Sequence, residues 1–138
     1  MEIINEFCPR FTPEAVPIYV GDTDEKWAHF DKERFDALDV TLDPHSKMPD
    51  VVVHLEAKDW LVLIEAVTTH GPVDPKRHIE LNALFAGAKP SLVFVSAFLT
   101  RKDLMRFLEQ IAWETEVWVA ESPSHMIHFN GERFLGPF

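Results

Sequence analysis

The chain has a single cysteine, Cys8, so it can close no internal disulfide, and its thiol fits a reducing compartment. No uncharged apolar run approaches the ~18–20 residues needed to span a bilayer, and no signal-peptide pattern opens the sequence. A cytoplasmic protein with no membrane partner is expected. Basic charge is scarce: 13 Lys and Arg face 23 Asp and Glu, leaving a net charge of −10. That excludes the broad basic surface by which many nucleic-acid binders neutralise phosphates. Any contact with DNA must rest on a local patch and on bound cations, and acidity alone favours a metal-binding or small-molecule protein. Walker loop, GxGxxG and nucleophile elbow are all missing, as are internal repeats, low-complexity tracts and a basic, aromatic-interleaved RNA surface.

What is present is enough apolar material for one domain with a real core, 46% of 138 residues. The segment from Met1 to Pro17, punctuated by Pro9, Pro13 and Pro17, has no clear pattern. Ile18 to Val20 with Gly21-Asp22 predicts a strand and turn. Trp27, Phe30, Phe35 and Leu38 suit one face of a helix from Asp24 to Leu38, capped by Thr23 or Asp24. A short strand is expected at Val40 to Leu42, then a loop from Asp43 to Pro49. Val51 to Leu55 and Trp60 to Val67 are strongly strand-like, and their unbroken apolar character suits central strands covered on both faces. Asp74 as N-cap and Pro75 at the first position predict a helix to about Gly87. Ser91 to Phe98 is a strand, Thr100 opens a helix to Ile111, and Glu116 to Ala120 and His125 to Asn130 form a closing strand pair. Trp113 and Trp118 suit core packing better than base stacking. The order predicts an α/β fold, a mixed sheet flanked by helices.

Two acids stand out in PDVVVHLEAKDWLVLIEAV, Asp50 and Glu65, because carboxylates beside buried strands are costly without compensation. If Leu55 pairs with Trp60 across the polar turn Glu56 to Asp59, Asp50 falls directly opposite Glu65. Such residues share a sheet face with Cβ atoms about 4.5–5.5 Å apart, and like charges there repel. A shared divalent cation resolves the repulsion, and Mg²⁺ suits one or two carboxylates plus waters. The alternative is that Asp50 begins one strand and Glu65 reaches solvent near the end of another.

Pro49-Asp50, a hairpin, and Glu65-Ala66-Val67 resemble the active-site signature of the PD-(D/E)XK nuclease superfamily. More narrowly, Lys47 to Val51, Leu63 to Thr68 and Gly71 to Arg77 resemble the BsuBI/PstI family of type II restriction endonucleases. Tyr19 to Thr23 and Ser124 to Gly131 fit the same pattern. The resemblance runs from about Phe11 onward, dividing the chain into a lead-in, residues 1–10, and a restriction-endonuclease-like nuclease domain, residues 11–138. Members of that family typically carry a further, mainly helical N-terminal region, so the chain is expected to correspond to the catalytic C-terminal domain. The resemblance implies a PD-(D/E)XK core and a Mg²⁺-dependent endonuclease acting on double-stranded DNA as a homodimer, with Asp50 and Glu65 as metal ligands.

The sequence departs from the superfamily at Val67, where a lysine is expected two residues after the second acid. Lys76, at the start of the following helix, is the first candidate for the displaced catalytic lysine; the plain alternative is a solvated residue paired at i,i+4 with Glu80. Lys47, three residues before Asp50, is the alternative for the displaced lysine, although strand period would send it to the opposite face. Lys47, Arg77 and His70 are also candidate DNA phosphate contacts, Arg77 through its two-pronged guanidinium. His125 and His128 should face opposite sides of their strand and not share an ion, and Asp22 and Asp24 suit a solvated turn. Two other functions remain open: a catalytically silent nuclease-fold module binding DNA or protein, and a metal-dependent phosphoesterase for a small substrate.

Overall fold

A computed structural model of the chain describes residues 2–21, 29–41, 47–68, 71–129, 131–132, 134 and 136–137. Among these, seven strands form one mixed sheet in the order β2-β1-β3-β4-β5-β6-β7. They are β1 (Val16–Val20), β2 (His29–Phe30), β3 (Val51–Leu55), β4 (Trp60–Ala66), β5 (Ser91–Phe98), β6 (Glu116–Val119) and β7 (Met126–His128). The β3–β4 hairpin is antiparallel, while β4, β5 and β6 run parallel. Parallel neighbours need crossovers, and α3 (Pro75–Leu84) and α4 (Arg101–Phe107) supply them. The expected α/β class is the one observed.

Side-chain alternation assigns the two sheet faces. Val52, Leu61, Leu63 and Phe94 pack with Phe35 of α2 (Lys32–Ala37) and with Val73, Leu81 and Phe85. Phe98, Val117 and Val119, on the same face, pack with Leu104 of α4. Val51, Val53, Val62, Ile64, Val95, Ala97 and Trp118 point the other way, onto Ile3 and Phe7. β3 is buried at all five positions and β4 at five of seven, because both faces are covered.

Several expectations change. The first residues are structured: a π-helical turn, Ile3–Phe7, leads into α1 (Cys8–Phe11), and Phe7 meets Trp118 edge-on at 5.5 Å. Burial of Ile3 and Phe7 makes the expected lead-in part of the core. The helix expected from Asp24 begins only at Lys32, because His29 and Phe30 pair with Val20 and Tyr19, and Asp31 caps it through Arg34 N–H. Thr23, Asp24 and Trp27 lie outside the described residues. Val40 is not strand: after Asp39 in the left-handed region, its N–H donates to Phe35 O. α3 stops at Leu84, where Phe85 turns into the core and Gly87 crosses so close to Asp39 O that a Cβ would lie 3.0 Å away. Pro17 is accommodated inside β1 at an irregularity in its register with β3. Trp118 is buried as expected but Trp113 is 73% exposed, tilted against Phe129, because Ala112 and Thr115 take the inward positions.

Candidate functional site

The β3–β4 register pairs Leu55 with Trp60 and Val51 with Ile64; carried one residue past the ladder, it sets Asp50 opposite Glu65 at the open end of the hairpin, close enough for the two charges to act on each other. Parity with Val52 and Leu63 puts both acids on the helix-bearing face. The backbone of Asp50 is tied to β1, its carbonyl accepting from Gly21 N–H at 2.8 Å. Its Oδ2 accepts from Ala66 N–H at 2.7 Å, which fixes the carboxylate against the end of β4. Glu65 is buried, and its Oε1 accepts two hydrogen bonds from one guanidinium, Arg77 Nε at 3.0 Å and Nη2 at 2.7 Å.

Burial pushes the Glu65 carboxyl above its ordinary value of 4.5, and the nearby Asp50 charge pushes the same way. The hydrogen bond and charge of Arg77, and the charge of Lys47, pull it back down. Lys47 is exposed, yet its charge reaches Glu65 from the loop before β3. Because that loop is not strand, strand alternation does not send Lys47 to the opposite face.

The first turn of α3 delivers Arg77. Asp74 Oδ1 accepts from Arg77 N–H at 2.7 Å and caps the helix, with Pro75 in the first turn where no N–H is needed. The entry is anchored by Ser96 of β5, whose Oγ accepts from Val73 N–H at 2.9 Å with both residues buried. Arg77, Leu81 and Phe85 then form one inward stripe at i, i+4 and i+8, leaving Lys76 exposed on a different face of the helix. The residue the helix turns onto Glu65 is therefore Arg77. His70 lies outside the described residues, as do Asp22 and Asp24.

Val67 is buried with Phe98, Leu104 and Ile111, so the position of the superfamily lysine belongs to the core under α4. His125 bonds Ser124 Oγ and His128 bonds Glu116, two separate pairings. Among the described residues no group of three or more His, Cys, Asp or Glu is placed to hold a metal ion. Asp50 and Glu65 would offer a cation two carboxylates, each with one oxygen held by a protein donor. That composition fits Mg²⁺, which takes few protein ligands and retains waters, better than Zn²⁺. Sequence reasoning missed the Arg77–Glu65 pair and the Ser96 anchor; the stripe with Leu81 and Phe85 was the signal for the first.

The family signature of the BsuBI/PstI restriction endonuclease domain matches residues 1–132. The type II restriction enzyme BsuBI of Bacillus subtilis is 57% identical over 136 residues, covering 99% of this chain and 43% of that protein. The type II restriction enzyme AplI of Arthrospira platensis is 34% identical over 140 residues, covering 96% and 43%. The structure of SdaI restriction endonuclease superposes with a TM-score of 0.93 at 48% identity, over 99% of this chain and 43% of that one. The chain thus spans less than half the length of these relatives. It belongs to the BsuBI/PstI restriction endonuclease family.

Proposed function

We propose that this domain is a Mg²⁺-dependent endonuclease that hydrolyses phosphodiester bonds of double-stranded DNA, in the manner of a type II restriction endonuclease. The observation that carries the reading is the Asp50 carboxylate held by Ala66 N–H, beside Glu65 at the open end of the hairpin, on a chain whose relatives are named type II restriction enzymes. A divalent cation at these carboxylates supplies an activated water and offsets charge developing on the phosphate. Asp50 and Glu65 serve as its protein ligands, presented from the residue before β3 and from within β4. Since Val67 cannot act as the cation, a lysine from elsewhere takes that role. Lys47 is favoured because its charge already acts on Glu65; Lys76, exposed one residue before Arg77, is the other candidate. His70 remains a proposed phosphate contact, whereas the guanidinium of Arg77 is engaged by Glu65. The working form is a homodimer in the cytoplasm, since a two-fold protein matches a two-fold DNA site. No helix among the described residues is long and apolar enough to cross a membrane.

Plasmid DNA incubated with and without Mg²⁺ tests this. Discrete fragments are expected, falling roughly 10²–10³-fold or more in rate in Asp50→Ala and Glu65→Ala. Lys47→Ala should be slower than Lys76→Ala; the reverse order would return the catalytic lysine to α3. The burial of Val67 favours one competing reading, a silent DNA-binding module. Binding without cleavage at any Mg²⁺ concentration would establish it.

A further inference from the structure

We infer that Arg77 is a positioning residue for the metal ligand Glu65, one that stays on the carboxylate when the cation binds. This rests on Asp50 and Glu65 holding metal, and it assigns Arg77 a different task from contacting phosphate. Both guanidinium bonds, from Nε and Nη2, go to the single oxygen Oε1. Asp50 is held in the same manner, one oxygen, Oδ2, tied by Ala66 N–H. Each acid is thus gripped at one oxygen by a protein donor, while Glu65 Oε2 and Asp50 Oδ1 lie outside these bonds. Hydrogen bonds to ligating carboxylates orient them and remove the freedom a metal would otherwise have to freeze.

Arg77 is poorly placed to leave. Its main chain is fixed by the Asp74 cap and its residue is buried, on the stripe that seats Leu81 and Phe85 in the core. Swinging the guanidinium to a phosphate would strip a buried carboxylate of its only bidentate partner among the described residues, the costly half of breaking a buried pair. Before metal binds, the same bonds hold the Glu65 carboxyl group in one orientation.

Calorimetric titration of the 138-residue chain with Mn²⁺ separates orientation from competition, with circular dichroism reporting folding. Arg77→Met should weaken Mn²⁺ binding about 10–100-fold, and Arg77→Lys, which keeps the charge and one donor, should recover part of it. Unchanged or tighter binding in Arg77→Met overturns the inference, since a merely structural pair leaves affinity alone and a competitor raises it on removal. Should Arg77→Met fail to fold, a wild-type crystal soaked in Mn²⁺ decides. The guanidinium retained on Oε1 beside the bound ion supports positioning, and a guanidinium turned away from Glu65 refutes it. If the wild-type chain takes up no Mn²⁺ at Asp50 and Glu65, the metal reading falls and this inference with it. Failure confined to the variants or to the guanidinium leaves the metal reading standing.

Discussion

Glu65 holds its proton more tightly in the folded chain than in the unfolded one, because burial outweighs the help it receives from Arg77 and Lys47. The sign for stability follows directly. Wherever the folded state binds more protons, stability falls as pH rises. The contribution of Glu65 is therefore greatest below its ordinary 4.5, declines as pH climbs through the interval from there to the raised folded value, and is flat above it. Other carboxylates titrate in the same region, so the comparison must be differential. Urea unfolding of wild type and Glu65→Gln at a series of pH values should give a stability difference, wild type minus variant, that falls from pH 4.5 upward. A difference that rises instead would mean that the Arg77 pair dominates burial.

The helix that carries Arg77 depends on two small anchors, and each predicts a cost. Asp74→Ala removes the N-cap of α3 and should lower stability by about 1 kcal/mol, read from urea midpoints at constant slope. Ser96→Ala strands the buried Val73 N–H at the entry to the same helix and should cost about 1–3 kcal/mol. A loss well under half a kcal/mol in Ser96→Ala would show that water or another group replaces the hydroxyl. Elements of this kind were readable to different degrees. β3, β4, β5 and α3 are legible because long apolar runs, a two-sided cover and the Asp74-Pro75 cap all agree. The Asp50–Glu65 opposition was legible too, since a short polar turn leaves few registers. The start of α2 was not, because Phe30 satisfies a helical stripe while sitting on a two-residue strand, pairing with Tyr19 and packing on Phe35. The N-terminal turns were hidden behind Pro9 and Pro13, and their burial depends on a distant partner, Trp118. In the site, the i, i+4, i+8 relation of Arg77 to Leu81 and Phe85 was a signal that the choice of Lys76 passed over, and no local pattern says which carboxylate oxygen a guanidinium will choose.

At the scale of the whole molecule, a net charge of −10 opposes the substrate proposed for it. Counterion release rewards only the phosphates that cations neutralise, at about −0.9 in the slope of log affinity against log salt for each one. Among the described residues, the exposed cations at the sheet end that carries the acids are Lys47 before β3, Lys76 at the start of α3, and Arg101 and Lys102 at the start of α4, set against the acids Asp50 and Glu65 themselves. Divalent ions should therefore be needed for association as well as for chemistry, because they reverse the sign of charge at the centre of that sheet end. Ca²⁺ allows this to be measured by fluorescence anisotropy on a short duplex without relying on cleavage. In EDTA at about 0.15 M KCl, where the Debye length is about 8 Å, binding should be too weak to detect. Adding Ca²⁺ should bring it into range, with a salt slope no steeper than about −4, the limit for those cations acting together. Tight binding in EDTA, or a slope of about −6 or beyond, would mean that a basic surface elsewhere on the chain engages the duplex. The paired acids would then not be the centre of the DNA interface.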